Sequence, residues 1–513
     1  MANLWEIEGF LEERDGILHI DGRPAPEIVA KHGSPVFVFS RNRIKSNINR
    51  LVKIQEVINC KLKVCYAAKA NSEADILSAV HESGIDIEVN SGGELQMALN
   101  AGFTGDQIIF NGTSKTPAEI ELAIRYEIYA IQADSLFELE LIEKASEKLG
   151  LTANVSLRLV PEIESTTHSG LQTALLTSKF GMMPDGAVDA MKRWHPEDKR
   201  LNIHGIHIHI GSQNSDPCSY EQALAALFEN LLRIKRETGR SLGHINMGGG
   251  FPVDYLRDDS HAPFINPKQR ELLSAGYEPA DVIGAAWKHV REVAAKAEAL
   301  ELLENIELLI EPGRSIIADA GVCLTTVRNR KERPLQSSKF QVPGSKLEAS
   351  SKSEDSSKFQ VSSSKPEDSS KFHFPSFKSE DRSTPENSSG TDLEPGTSKI
   401  ELGTWNLELE TWLLTDAGFN ILLSMETYKW YYHLIHATRA DEPHKTPYKV
   451  AGPLCDGGDV YFDHEGHNRL PDHRFLPDNI QPGEILALLN TGAYTVSQMF
   501  PYNGRELPSV LIK

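Results

Sequence analysis

The chain has 513 residues, of which 40% are hydrophobic and 24% charged, and 72 acidic against 53 basic side chains give a net charge of −19. Because single hydrophobic cores stop growing at about 300 residues, this length predicts two domains. The acidic balance argues against a nucleic acid or an anionic membrane as the main partner. Five scattered cysteines without a CxxC pair fit neither a disulfide framework nor a zinc ribbon.

Targeting signals are not evident in the sequence. The first residues lack the basic and apolar regions of a secretory signal, and no apolar run of about 18 residues occurs. We therefore expect a cytoplasmic protein that does not enter a membrane.

Short apolar runs alternate with helical patterns from residue 36 to residue 315. Each run precedes a stretch with helical periodicity, such as 117–124 or 220–236, as parallel α/β units require. Eight such repeats predict a (β/α)₈ barrel rather than an open sheet. The predicted strands are 36–39, 62–66, 108–110, 130–133, 155–159, 203–210, 244–246 and 306–310.

Residues 316–513 contain strand-like pieces at 322–327, 411–414 and 449–451 and few helical patterns. They predict a second, β-rich domain, which residues 1–35 are expected to join. Within it, residues 332–403 form a low-complexity segment in which Ser-Ser-Lys-Phe recurs at 337, 356 and 369. We expect a disordered insertion at a hairpin tip, and a tolerated insertion is favoured over a regulatory tail.

The first candidate reactive group is Lys69, which stands where the predicted strand 62–66 ends. Barrel enzymes keep their reactive groups at the C-terminal ends of the strands. A lysine partly removed from water there has a lowered pKa and can form a Schiff base with an aldehyde. An ordinary solvated lysine is the alternative.

Two other strand ends carry groups that suit a phosphorylated ring. Three glycines, Gly248, Gly249 and Gly250, can bind phosphate through consecutive N–H groups, or they can serve the turn alone. Arg314 can bind phosphate through two hydrogen bonds, and Glu311 can face a ring nitrogen. A local ion pair between Glu311 and Arg314 is the alternative.

Three histidines, His204, His207 and His209, lie in one predicted strand, with His207 and His209 on the same face. No carboxylate or cysteine is near them in the sequence, so we expect no metal. A histidine that packs over a flat ring is favoured.

Two glycine-containing clusters in the β-rich part combine flexible backbone with polar or reactive side chains. They are Cys455-Asp456-Gly457-Gly458-Asp459 and Thr491-Gly492-Ala493-Tyr494. For Cys455 alone, a buried structural cysteine is the usual interpretation.

Taken in order, YAAKAN, HIHIGSQ, GGGFP, EPGR, CDGGD and GAY resemble the pyridoxal-phosphate decarboxylases of the alanine-racemase fold, also called fold type III. The resemblance is to diaminopimelate decarboxylase in particular and more distantly to ornithine decarboxylase. It extends from Pro35 to Asn503 and excludes the insertion.

The resemblance implies a role for each matching residue. Lys69 would carry the cofactor, His209 would stack on its ring, and Glu311 would keep the ring nitrogen protonated. Cys455 would be catalytic and, with Asp456, would reach the active site of the partner subunit, which implies a homodimer with shared sites. The implied phosphate ligands are Ser212, Gly248, Gly249, Gly250, Arg314 and Tyr494, and the implied substrate contacts are Arg314, Tyr428 and Asp456.

The resemblance also implies a reaction, decarboxylation of an amino acid, with reprotonation by Cys455 or Lys69. Two positions depart from the diaminopimelate enzymes. Ser424 stands where they carry an arginine that pairs with a substrate carboxylate, and Asp456 stands where they carry glutamate. The nearest family reaction is meso-diaminopimelate to lysine, and ornithine, lysine or an amino-acid conjugate are alternative substrates.

Two other classes of function stay open on the same motifs. A racemase of this fold needs an unprotonated ring nitrogen, which Glu311 disfavours. A non-catalytic binding protein typically lacks the lysine or the phosphate ligands, and this chain has all of them.

Overall fold

The computed structural model describes residues 4–160, 178–198, 200–334 and 409–513. By its internal contacts the chain divides into two units, Met1–Arg333 with Glu410–Lys513, and Pro334–Leu409. The barrel, the sheets and the site described below lie in the first unit. Most of the predicted insertion, and residues 161–177, lie outside the described residues.

The N-terminal residues form a small antiparallel sheet and one helix. Its apolar side chains, among them Phe10 and Leu18, pack with Val322 and Ile435 of the C-terminal part. These contacts join the N-terminal residues to the C-terminal part. The elements are β1 (Leu11–Arg14), β2 (Ile17–Ile20), β3 (Arg23–Pro24) and α1 (Ala25–His32).

The next strand, β4 (Val36–Phe39), does not open the barrel. It pairs antiparallel with Gly321–Leu324 and parallel with Ser509–Ile512, so it is an interior strand of the C-terminal sheet. All four of its side chains are buried. A short, wholly apolar run looks the same in either setting. The prediction that residues 36–39 form the first barrel strand is wrong, and the domain boundaries themselves stay a prediction.

Eight parallel strands close the barrel, and their order around it follows the chain. The predicted (β/α)₈ barrel is confirmed. One of its strands, Asp86–Val89, is missed by the sequence pattern because it is short and half of it is acidic. The barrel strands are β5 (Lys61–Ala67), β6 (Asp86–Val89), β7 (Ile108–Phe110), β8 (Ala130–Ala133), β9 (Ala153–Arg158), β10 (Leu201–His207), β11 (His244–Asn246) and β12 (Glu307–Ile310).

The helices surround the barrel and have recognisable ends. For example, the helix at residue 117 begins with a capping box in which Thr116 and Glu119 bind each other's backbone N–H groups. No helix among the described residues has the length and apolar character needed to cross a membrane. The helices are α2 (Arg41–Val52), α3 (Ile54–Val57), α4 (Ala74–Glu82), α5 (Gly92–Asn100), α6 (Pro117–Arg125), α7 (Leu136–Leu149), α8 (Pro184–Arg193), α9 (Cys218–Thr238), α10 (Pro267–Leu273), α11 (Pro279–Lys296), α12 (Glu301–Glu304) and α13 (Arg314–Ile317).

The C-terminal part is an eight-stranded sheet, as the β-rich prediction requires. It contains β13 (Gly321–Pro334), β14 (Leu409–Thr415), α14 (Leu423–Thr427), β15 (Leu434–His436), β16 (Thr446–Ala451), β17 (Arg474–Leu476), β18 (Ile485–Leu488) and β19 (Ser509–Ile512). Its order is β15-β18-β13-β14-β16-β17; β4 also pairs with β13, and β19 pairs with β4. Since β13 and β14 are neighbours, the insertion connects adjacent strands, as predicted. Residues 332–334, however, still belong to β13.

Candidate active site

The predicted reactive residues meet at the C-terminal ends of the barrel strands. Lys69 lies in a short turn, Ala68–Ala70, directly after β5, and Glu311 and Arg314 follow β12. His207 is the last residue of β10. Because parallel strands end at one face of the barrel, residues far apart in the sequence share a single site.

The Lys69 side chain is 38% exposed, and its Nζ lies 3.6 Å from Oε2 of Glu88, a fully buried residue of β6. Burial lowers the pKa of Lys69, but Glu88, Tyr494 and Glu311 outweigh it, so the pKa is raised above its ordinary value. The expected lowering is therefore wrong. The barrel supplies carboxylates that the local sequence of Lys69 does not reveal.

Glu311 is buried, and amide groups hold both of its carboxylate oxygens. Asn246 donates to Oε1 at 2.7 Å, and Asn111 donates to Oε1 and Oε2 at 3.1 and 3.0 Å. Burial, assisted by the nearby Glu88 charge, raises the pKa of Glu311 to about 7. The alternative of a local pair with Arg314 is wrong, because these two side chains have different partners.

Asn111 also donates to Oε1 of Glu88, at 2.8 Å. One amide group thus joins the carboxylate beside Lys69 to the carboxylate proposed for a ring nitrogen. The sequence analysis misses both Asn111 and Glu88. Glu88 lies between two apolar residues, Ile87 and Val89. A carboxylate at such a position is the signal that would have identified Glu88, since carboxylates are rarely buried without a partner.

His207 is 1% exposed, and its Nε2 lies 3.5 Å from Oε2 of Glu311. Neither ring nitrogen of His207 has a hydrogen-bond partner among the described residues. His209 accepts a hydrogen bond at Nδ1 from the Gly249 N–H at 3.2 Å. Burial holds the pKa of both histidines well below the ordinary value, so both rings are neutral.

The barrel brings a carboxylate to these histidines although none is near in the sequence. Ligand atoms of His207, His209 and Glu311 lie within 4.8 Å of one another. The hydrogen bonds to the Glu311 oxygens come from the amides of Asn111 and Asn246. The same carboxylate is a suitable acceptor for a ring N–H. The expectation that the site uses no metal stays a prediction.

The glycine loop is required by close packing. A Cβ on Gly248 would lie 2.3 Å from Nδ1 of His209, and one on Gly249 would lie 2.2 Å from the Glu311 carbonyl oxygen. Gly248 and Gly250 also have φ values of +70° and +95°, which favour glycine. Gly248 N–H already binds Asn246 Oδ1 at 2.9 Å, and Gly249 N–H binds His209. The conformational role is thus present, and the N–H of Gly250 is the one best placed for a ligand.

Arg314 is buried in a pocket of hydroxyl groups and aromatic rings. Its Nε donates to Ser212 Oγ at 3.2 Å and its Nη1 to the Tyr255 hydroxyl at 2.9 Å, and the Trp430 and Tyr494 rings lie 4.2 and 4.8 Å from the guanidinium carbon. No carboxylate among the described residues forms an ion pair with it. A buried guanidinium without an anion, beside a serine hydroxyl, fits a phosphate group.

The sheet completes the site through Tyr494 and Ser424. Tyr494 donates its N–H to the Ala70 carbonyl at 2.9 Å, which fixes this loop against the Lys69 turn. Ser424 is buried, and its Oγ donates to the Tyr494 carbonyl at 3.4 Å. Tyr428 follows one helical turn later, its N–H 3.1 Å from the Ser424 carbonyl. Ser424 therefore lies beside the Tyr494 loop that contacts the Lys69 turn, and Tyr428 lies one helical turn away. We call Lys69, Glu88, His209, Glu311, Arg314 and Tyr494 the Lys69 cluster.

Cys455 and Asp456 lie in an exposed loop after β16. Cys455 N–H donates to Asn503 at 2.7 Å, and the Tyr502 hydroxyl donates to Asp456 at 3.3 Å. Among the described residues of this single chain, no hydrogen bond joins the loop to the Lys69 cluster. The interpretation of Cys455 as a buried structural cysteine is wrong.

Comparison with known proteins agrees with this geometry. Diaminopimelate decarboxylase of Methanocaldococcus jannaschii is 28% identical over 508 residues, which cover 98% of this chain and 91% of that protein. The enzyme of the same name from Halalkalibacterium halodurans is 32% identical over 321 residues, 62% of this chain and 69% of that protein. The crystal structure of the M. jannaschii enzyme in complex with L-lysine superposes with a TM-score of 0.72 at 26% identity, over 98% of this chain and 92% of that one.

Family patterns cover both parts of the fold. Residues 42–318, more than half of the chain, match the pyridoxal-dependent decarboxylase pyridoxal binding domain. Residues 387–492 match the C-terminal sheet domain of the same enzymes. With its closed barrel, its phosphate-compatible arginine and its strand-end lysine, the chain belongs to the pyridoxal-dependent decarboxylases, whose cofactor is pyridoxal phosphate.

Proposed function

We propose that this enzyme decarboxylates meso-diaminopimelate to lysine. The observation that carries the proposal is the similarity to diaminopimelate decarboxylase along 98% of the chain, including a structure that holds L-lysine. The barrel residues described above support the same class of reaction.

We propose the following roles for the residues of the site. Lys69 holds the cofactor covalently, and the neutral His209 ring packs against it. Glu311, fixed by two asparagines, accepts a hydrogen bond from the ring nitrogen. The groups that hold the phosphate are Ser212, Gly248, Gly249, Gly250, Arg314 and Tyr494.

Bound pyridoxal phosphate supplies an electron sink for the electron pair left when the carboxylate departs as carbon dioxide. The protein contributes the groups that fix charge and move protons. Burial and the two asparagines keep the Glu311 carboxylate oriented. Glu88 holds a proton on Lys69 Nζ, 3.6 Å away. That ammonium, or the Cys455 thiol, returns a proton to the substrate α-carbon.

A homodimer in the cytoplasm is part of the proposal. Cys455 and Asp456 are exposed and lie outside the Lys69 cluster of their own chain, which suits a loop that enters a partner's site. All five cysteines are free, as a reducing compartment favours. Mixing Lys69→Ala with Cys455→Ala chains tests this arrangement, since a mixed dimer would regain one intact site. Activity no greater than that of the separate variants would contradict it.

A second candidate substrate is a basic amino acid such as lysine or ornithine. The observation that favours it is Ser424, a neutral residue beside Tyr494 where the related enzymes carry an arginine. The product would then be putrescine from ornithine or cadaverine from lysine. A distal carboxylate would gain less from serine than from a guanidinium.

The experiment is a parallel assay of carbon dioxide release and of the stereoisomer composition of the remaining substrate. We expect meso-diaminopimelate to release carbon dioxide and give lysine, and Lys69→Ala to give neither. Release only from lysine or ornithine would establish the second candidate. A change of stereoisomer composition without gas would identify a racemase and overturn both.

A further inference from the structure

A cavity of about 610 Å³ is lined in part by Pro252, Val253, Asp254 and Arg257, which follow the glycine loop in the chain. Its walls come from Pro252–Arg257, from the residues before and within the first turn of α11, from α2, and from Asp319. The roles proposed above do not use this cavity. Three arginines, Arg43, Arg50 and Arg257, line it.

Two of the three arginines are fully paired. Arg43 contacts Asp319 through both Nε, at 3.2 Å, and Nη2. Arg50 binds Glu278 through Nε and Nη2, both at 3.0 Å. Arg50 has the two parallel contacts that a guanidinium forms best with a carboxylate, whereas both contacts of Arg43 go to Oδ2 of Asp319.

Arg257 differs from the other two. Its Nε and Nη2 are shielded from solvent, and neither has a hydrogen-bond partner among the described residues. Its φ is +62°, a conformation that costs energy for a residue other than glycine. Leaving buried guanidinium donors unsatisfied is expensive, so a bound anion would stabilise this arrangement.

Asp319, whose charge acts on Arg257, is already occupied. Asp319 accepts from Arg43 at Oδ2 and from Asn47 at Oδ1, the latter at 2.6 Å. No hydrogen bond joins Arg257 to Asp319 among the described residues, so the Arg257 guanidinium adds positive charge to a wall whose aspartate already binds Arg43. A single carboxylate of a ligand would complete it.

Two carboxylates of the same cavity, Asp254 and Asp281, have no ion pair with a cation among the described residues. They would repel a multiply charged anion such as phosphate. They would attract an ammonium group. The cavity therefore offers one unpaired guanidinium together with two unpaired carboxylates.

We propose that this cavity is a second amino-acid site, in which Arg257 binds the carboxylate of a zwitterion and Asp254 or Asp281 binds its ammonium. A zwitterion satisfies both sets of charges, whereas a simple amine would leave Arg257 unpaired. This site is separate from the site around Lys69 and goes beyond the proposed function.

The second site contacts the segments that position the phosphate ligand Arg314. Tyr255, two residues before Arg257, receives a hydrogen bond from Arg314 at 2.9 Å. Asp319 lies directly after α13, whose first residue is Arg314. An amino acid bound on Arg257 is thus placed to alter cofactor retention.

Calorimetric titration of the holoenzyme with L-lysine tests the proposal. We expect two binding sites per chain in the wild type and one in Arg257→Gln, with affinity at the lost site reduced more than about tenfold. Arg233→Gln, which removes an exposed arginine of α9 paired with Asp185 and Glu237, is the matched control and should keep both sites.

The probes and a second variant make the outcome decisive. Cadaverine, which lacks the carboxylate, and hexanoate, which lacks the amine, should both bind the second site more weakly than lysine. If Arg257→Gln does not fold, Asp281→Asn should weaken lysine binding there and leave hexanoate unchanged. Equal stoichiometry in the wild type and the variants, or tighter binding of phosphate than of lysine, would overturn the proposal. If lysine does not bind at the site around Lys69, we expect one lysine site per chain in the wild type and none in Arg257→Gln. Failure of the proposed function can therefore be distinguished from failure of this proposal.

Discussion

The side-chain nitrogen of Asn111 lies 2.8 Å from Oε1 of Glu88 and 3.0 Å from Oε2 of Glu311, and donates to both. All three side chains are buried. One amide group therefore stabilises two neighbouring carboxylates that would otherwise repel each other. It connects the group that faces Lys69 with the group proposed to face the cofactor ring.

Replacing Asn111 by alanine should raise the pKa of Glu311. A hydrogen bond to a charged group contributes about 1.5–3 kcal/mol, which corresponds to a shift of about one to two pKa units. Glu311, whose pKa is already about 7 in the cofactor-free chain, would then be mostly protonated at neutral pH, and the bound cofactor would lose its counter-charge. We expect the pH titration of the cofactor's visible absorbance to move and decarboxylation to slow by about tenfold or more.

Asn154→Ala is the matched control for this experiment. Its amide binds the Ile128 carbonyl at 3.1 Å, near the opposite end of the barrel strands. The control should leave the absorbance titration unchanged. The same titration in wild type and Asn111→Ala would mean that Asn111 does not set the charge of Glu311.

Arg314→Lys should weaken cofactor binding although it keeps the positive charge. Lysine cannot reproduce the planar fork that contacts Ser212 and Tyr255. Loss of one charge-assisted hydrogen bond corresponds to a factor of about 10 to 100 in the dissociation constant. Equilibrium dialysis with pyridoxal phosphate measures it, and Arg328→Lys, a change in an exposed arginine that pairs with the buried Asp416, is the control. Unchanged affinity would remove Arg314 from the phosphate site.

Ser424→Arg tests whether the substrate pocket has diverged. An arginine there would supply a cation for a distal carboxylate, and we expect kcat/KM for meso-diaminopimelate to rise about tenfold relative to lysine. Ser424→Met, of similar length but uncharged, separates charge from crowding at this buried position. If the arginine variant gives no gain over the methionine variant, another residue binds that carboxylate.

Glu311 should make the stability of the cofactor-free protein fall as pH rises. Its pKa is about 7 in the folded chain, against an ordinary value of 4.5. Between these pH values the folded chain holds more protons than the unfolded chain, so the free energy of unfolding decreases with pH. Denaturant unfolding at a series of pH values should show this decrease in the wild type relative to Glu311→Gln. A difference between the two that does not vary from pH 4.5 to 7 would contradict it.

The barrel could be predicted from periodicity, but the membership of its strands could not. β4 is apolar on both faces whether it lies in a barrel or inside a sheet, and its partners, β13 and β19, are hundreds of residues away. β6 was missed because Asp86 and Glu88 interrupt its apolar pattern. These two residues, Asp86 and Glu88, place acidic side chains within a barrel strand.

The sequence motifs identified candidate residues of the site. The charged groups that surround these residues could be determined only from the folded structure. Lys69, Glu311 and Arg314 could be found from the strand ends on which they lie. The raised pKa of Lys69 depends on Glu88, and the separation of Glu311 from Arg314 depends on Asn111 and Asn246. None of these contacts is local in the sequence. Asn111 therefore had no signal in the sequence, and Glu88 had only its position between two apolar residues.

The most direct test of the assignment is reduction of the holoenzyme with borohydride, followed by peptide mass analysis. Reduction makes a covalent lysine–cofactor bond permanent, so the modified residue can be located. The Lys69 site predicts one pyridoxyl group per chain, on Lys69, and none in Lys69→Ala. A group on another lysine, or no incorporation in a protein that still releases carbon dioxide, would contradict it.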